Sequence, residues 1–153
     1  MIWNGRCQII SENPFIIIDC AHNPDGIAKL VKTLQEISRD KWIVVLGILD
    51  DKYPDKVIKY LSEIACEILY VKPSSQRGLS FDKFSKLFFE QNPTGIKLKG
   101  LNDVNEITTL IQNKKYLNNN VVVTGSCYLI GDLLSALKMN IRDNRTDDPL
   151  HII

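Results

Sequence analysis

The 153-residue chain has little that would mark it for a special environment. No apolar stretch approaches the roughly 20 residues that span a bilayer, so a membrane-embedded chain is not expected. The first residues, "MIWNGRC", have no hydrophobic h-region and do not read as a secretory signal. There is no basic run: charged residues are 24% of the chain and the net charge is +1, which argues against a nucleic-acid surface. Cysteines stand at 7, 20, 66 and 127 without a CxxC pair. That spacing does not suit a zinc site and, without secretory context, does not suggest a disulfide framework. Both phosphate-binding signatures, G-x-x-x-x-G-K-[ST] and G-x-G-x-x-G, are missing. The chain cannot cradle a triphosphate alone, and any ATP would be held from one side. No internal repeat or low-complexity tract interrupts it.

What is present is the composition of one ordinary folded domain, with 44% hydrophobic residues. Short apolar runs ("CQIIS", "FIIIDC", "WIVVLGIL", "EILYVK", "IKLKG", "VVVTG") alternate with segments of helical spacing. Ile16 to Ile18, Ile43 to Leu46 and Val121 to Val123 are unbroken, as in strands covered on both faces. In "PDGIAKLVKTLQEIS" the residues Ile27, Leu30, Val31, Leu34 and Ile37 form one stripe, with Lys29, Lys32 and Gln35 outside it. "YPDKVIKYLSEIA", "SFDKFSKLFFEQ" (N-capped by Ser80), "DVNEITTLIQN" and "GDLLSALKM" complete the helices. Such alternation predicts right-handed crossovers and a mostly parallel sheet. "ENP" is too short for a crossover, so the first run should pair antiparallel or come from outside the domain. The domain is expected over 1–139, followed by a polar tail over 140–153.

Ligands of open parallel sheets bind beyond the carboxyl ends of the strands. Residues following the runs are therefore candidates: Asp19, His22 and Asn23; then Asp50, Asp51 and Lys52; then Arg77 in "PSSQRG"; then Ser126. Each has a plainer reading. Asn23-Pro24 suits an N-cap and a proline in the first turn. Asp50-Asp51 suits a helix start, and "TGS" suits a tight turn. His22 can be a hydrogen-bonded structural group, since a metal would need partners that this spacing does not provide. Asp19 is harder to explain away, because a carboxylate ending an apolar strand is costly to bury without a partner. Three readings stay open on these residues: one side of a shared ligand site, a non-catalytic binding module, or an autonomous enzyme using Asp19 and His22.

The string Asp19-Cys20-Ala21-His22-Asn23-Pro24-Asp25-Gly26 resembles the D-x-A-H-N-P-x-G motif that opens the C-terminal domain of Mur-type ligases. The resemblance is closer to the folylpolyglutamate synthase/dihydrofolate synthase family. "NGRCQIIS", "VVLGILDDKYPDKV", "VKPSSQRGLS" and "VVTGSCYLIGDLL" resemble that family's later segments in order, from residue 5 to about 135. The resemblance implies a Rossmann-like, three-layer α/β domain with a six-stranded, mainly parallel sheet and one antiparallel strand. It implies an ATP-dependent ligase that joins L-glutamate to folate through an acyl phosphate, cytoplasmic and monomeric. Mg2+ and most of the ATP would be held by a preceding P-loop domain, which the chain is expected to lack. Alone it is then expected to be inactive. By position, Arg6, Asp19 and His22 would contact ATP, while His22, Ser126, Lys52 and Arg77 would serve glutamate. Where Cys20 stands the family often has glycine. Charged hydrogen bonds contribute about 1.5–3 kcal/mol each. Two or three would barely reach the ~4 kcal/mol of a millimolar site, so weak ATP binding by the domain alone is expected.

Overall fold

A computed structural model describes residues 7–91, 93–113 and 118–144, with side chains described as far as residue 138. Six strands and five helices follow one another: β1 (Gln8–Glu12), β2 (Phe15–Ile18), α1 (Pro24–Ile37), β3 (Trp42–Leu46), α2 (Pro54–Leu61), β4 (Ala65–Tyr70), α3 (Phe81–Glu90), β5 (Lys97–Gly100), α4 (Val104–Gln112), β6 (Asn120–Thr124) and α5 (Cys127–Asn144). The helices begin where local chemistry favours it. Asn23 accepts the Gly26 N–H at 2.8 Å ahead of Pro24. Ser80 accepts from Lys83 N and Asp103 from Asn105 N. α2 is the exception. It starts at Pro54 with no side-chain cap, preceded by Tyr53 in the left-handed region (φ 53°). Asp50 and Asp51 therefore lie in the turn ahead of the helix.

The sheet order is β1-β2-β6-β3-β4-β5. β1 and β2 form an antiparallel hairpin, and all other pairs are parallel. The short "ENP" link thus makes the hairpin. Alternation along the central strands sends side chains to two apolar layers. Ile17, Val44, Ile68, Tyr70 and Val122 face the side covered by α1, α2 and α3. Ile16, Ile18, Val45, Leu69, Val121 and Val123 face the side covered by α4 and α5. Burial on both faces is why these strands read as continuous apolar runs. β5, at the sheet edge, is mostly exposed. On α3, Phe84 and Phe88 enter the core, while Phe81 remains 38% exposed. α5 begins four residues ahead of "GDLLSALKM" and runs to Asn144. The first part of the expected polar tail is thus the last turns of this helix; the rest lies outside the described residues.

Candidate functional site

The carboxyl ends of β2, β6, β3 and β4 are laced together by their own backbone. Asp19 N donates to Val123 O at 3.0 Å, Gly125 N to Ala21 O at 2.9 Å, Gly47 N to Thr124 O at 3.2 Å, and Val71 N to Leu46 O at 2.9 Å. The Thr124 hydroxyl adds a bond to Ala21 O at 3.2 Å. Gly125 has φ +110°, and a Cβ there would stand 2.3 Å from Gly47 O. Only glycine permits that approach. The polar residues after four different strands are thereby held on one rim.

At the β2 end of this rim is a cleft of about 350 Å3 lined by Asp19, Cys20, Ala21, His22, Asn23 and Lys29, with Cys7 and Cys127 at its walls. Asp19 is committed on both oxygens. Oδ1 accepts the Ala21 N–H at 2.7 Å, closing the turn, and Oδ2 accepts the Cys7 N–H at 2.9 Å, pinning the start of β1. An ionised carboxylate has about four acceptor positions, so both oxygens retain a lone pair for a ligand. Partial desolvation of the Cys7 thiol, then the charge and hydrogen bond of Asp19, push it up to about 12. His22 Nδ1 donates to Cys20 O at 3.0 Å. That fixes one tautomer and leaves Nε2 as the ring's remaining polar atom. Asn23 is occupied in capping α1.

Further along, the loops after β3 and β4 meet. Arg77 Nη1 lies 2.7 Å from Asp51 Oδ2, with the side chains 53% and 46% exposed. The Asp51 carboxylate, and to a lesser degree the Tyr128 hydroxyl, push the Arg77 guanidinium above its ordinary value, so it stays charged. Asp50 N donates to Arg77 O at 2.8 Å, and Leu49 bridges Gly78. Beneath them the fully buried Tyr70 donates its hydroxyl to Leu79 O at 2.6 Å. Lys52 is half-buried in the turn after Asp51.

The sequence-expected residues are thus not all alike. Asp19 and His22 share the cleft, while Lys52 and Arg77 occupy the loops beyond it. Ser126 is only 1% exposed, and its hydroxyl accepts the Tyr128 N–H at 3.1 Å at the start of α5. Arg6 lies outside the described residues. Sequence reasoning passed over Lys29, Cys7 and Cys127 at the cleft, and Tyr70 and Tyr128 beside Arg77. Lys29 had a signal, since it stands one turn beyond Gly26 on the polar side of α1; the others meet only through tertiary structure. Among the described residues no group of three His, Cys, Asp or Glu side chains converges as a metal site.

Residues 5–127 match the family described as Mur ligase, glutamate ligase domain. The chain is 31% identical over 137 residues to the dihydrofolate synthase/folylpolyglutamate synthase of Bacillus subtilis (strain 168), covering 89% of this chain and 31% of that protein. It is also similar to the crystal structure of the bifunctional folylpolyglutamate synthase/dihydrofolate synthase of Yersinia pestis complexed with AMPPNP and Mn ion. There the TM-score is 0.73 at 28% identity, covering 90% of this chain and 32% of that one. A structure of a bifunctional enzyme of the same description, with Mn, AMPPNP and L-glutamate bound, gives TM-score 0.73 at 27% identity over 90% of this chain and 32% of that one. The chain therefore spans about a third of the length of these relatives.

Proposed function

The chain belongs to the Mur ligase, glutamate ligase domain family, and from this membership we propose that it is the C-terminal domain of an ATP-dependent ligase that adds L-glutamate to folate. The observation that carries the reading is the laced rim. Asp19, His22 and Lys29 line a cleft at the carboxyl ends of parallel strands, yet the chain carries no phosphate loop of its own. Such a surface suits one wall of a site completed by a P-loop domain. That domain would hold Mg2+ and most of the ATP. When bound there, ATP supplies the phosphoryl group that activates the folate carboxylate.

In this reading the spare lone pairs of Asp19 accept from the ribose, and Arg6 meets phosphate oxygens. His22 Nε2 lies between nucleotide and glutamate. Arg77, kept charged by Asp51, attracts a glutamate carboxylate with Lys52, and Ser126 holds the helix start beneath the glutamate amine. The domain aligns that amine and excludes water from the acyl phosphate as it closes. The enzyme works in the cytoplasm as a monomer, without nucleic acid or membrane; among the described residues no helix is long and apolar enough to cross a bilayer.

The test is ATP-dependent glutamylation of a folate, followed by chromatography of the products. The chain alone should give no turnover, and turnover should require the P-loop domain. In the complete enzyme, Asp19→Ala and Ser126→Ala should each impair ligation while the domain keeps its fold. Measurable turnover by the chain alone would sink the half-enzyme reading. Wild-type kinetics in both variants would refute the site assignment.

A further inference from the structure

Three of the four cysteines, distant in sequence, line one cleft. They are not equivalent. Cys66 is at the other end of the sheet, where its Sγ donates to Trp42 O at 3.4 Å. Cys7 is kept protonated by its desolvation and by Asp19. Cys127 is exposed at the first position of α5, with its Sγ 3.9 Å from Cys20 O. Cys20 packs against the apolar layer that α5 covers, and both residues line the cleft.

The structure brings the two residues into contact, with the Cys127 sulfur 3.9 Å from the Cys20 carbonyl oxygen. β2 and β6 are hydrogen-bonded neighbours, and neighbouring strands run about 4.8 Å apart. The bond from Gly125 N to Ala21 O continues that pairing past the strand ends, one residue after Cys20 and two before Cys127. A disulfide needs Cα atoms about 4.4–6.8 Å apart. We infer that Cys20 and Cys127 form a dithiol site that hydrogen peroxide converts into an intramolecular disulfide.

The exposed Cys127 sulfur attacks the peroxide O–O bond. A sulfenic acid forms and one water leaves. The Cys20 sulfur then attacks the sulfenic sulfur, the S–S bond forms, the S–O bond breaks, and the second water leaves. The two thiols supply the two electrons that the peroxide takes up. The bridge spans the wall of the cleft. That it thereby competes with nucleotide rests on the function proposed above.

The experiment oxidises the full chain with hydrogen peroxide and maps the products by non-reducing tryptic mass spectrometry, with and without millimolar AMPPNP. The expected product is a Cys20–Cys127 linked peptide pair, short of two hydrogens. It should persist in Cys7→Ser and vanish in Cys20→Ser and Cys127→Ser, with Cys127 in the former running on to sulfinic acid. Bridges through Cys7, bridges only between molecules, or sulfinic acid at Cys127 in the wild type without a bridge would overturn the inference. AMPPNP should slow bridging about twofold, as half-occupancy of a millimolar site would. Bridging that forms at the same rate with AMPPNP supports the dithiol and counts against the nucleotide placement alone.

Discussion

Replacing Tyr70 with phenylalanine removes one oxygen from beneath the Arg77 loop. The ring should stay, because it stacks on Phe84 with centroids 4.1 Å apart and 13° between planes. The hydroxyl donates to Leu79 O at 2.6 Å and also lies 3.3 Å from Ile48 O. Ile48 O keeps a partner in the Leu79 N–H, at 2.9 Å, so Leu79 O is the group that loses its donor. A buried carbonyl stripped of its partner costs about 1–3 kcal/mol. At ~2 kcal/mol the urea midpoint should fall by about 1 M, or the melting temperature by roughly 4–8 °C for a domain of this size.

The pH dependence separates a buried hydroxyl from simple packing. Burial raises the Tyr70 hydroxyl above its ordinary value. Its folded pKa is therefore higher than its unfolded pKa of about 10. The stability it contributes is fully present below pH ~10. Above that it is lost, as the unfolded tyrosine ionises and the folded one resists. The other four tyrosines are common to both proteins and cancel. Urea titrations at pH 7, 9 and 11 should show a constant gap between wild type and Tyr70→Phe at the first two and a narrower one at the third. Faster tryptic cleavage after Arg77 in the variant should accompany it. A variant within ~0.5 kcal/mol of wild type at pH 7, or a gap that does not narrow at pH 11, would refute the reasoning.

Gly125→Ala should destabilise the domain by on the order of 3 kcal/mol or more, from the left-handed backbone and the contact with Gly47 O. Gly131→Ala, in α5 with nothing within 4 Å of the added Cβ, should instead raise the urea-derived stability by roughly 0.5–1 kcal/mol. Asn23→Ala should lose about 1 kcal/mol with the cap of α1, and Asn23→Asp should restore most of it, as read by thermal melts. Arg77→Ala breaks a solvent-screened exposed pair and should leave the thermal melt essentially unchanged. In the complete ligase it should raise the glutamate KM roughly 10- to 100-fold, as losing a charged hydrogen bond would.

Much of the architecture was legible because it rests on local patterns. Ile16 to Ile18 and Val121 to Val123 are buried on both faces, and that burial is what makes them unbroken apolar runs. Asn23-Pro24 and Ser80 mark helix starts through their own hydrogen bonds. The rim was legible as a set of strand ends, but not as a set of roles. Nothing around Asp19 in the sequence says that one oxygen is taken by a neighbour two residues away and the other by Cys7 across the hairpin. The burial of Ser126 follows from the turn of Gly125 against Gly47, a contact between residues far apart in the chain. The helix-start reading of Asp51 was locally sound. It yielded to Arg77, which arrives from the next crossover.

The strand order has a consequence for synthesis. β6 lies between β2 and β3, although it is made after every other strand. Until residue 124 has left the ribosome, the β1–β2 hairpin and the β3–β4–β5 group cannot join, and each exposes an apolar, unpaired edge. The nascent chain thus holds two halves of a sheet with their sticky sides open, a state prone to misassociation. Joining them needs contacts of long sequence separation, which form slowly. A ribosome pause placed before β6 should therefore increase aggregation, whereas one placed after α5 has begun should not.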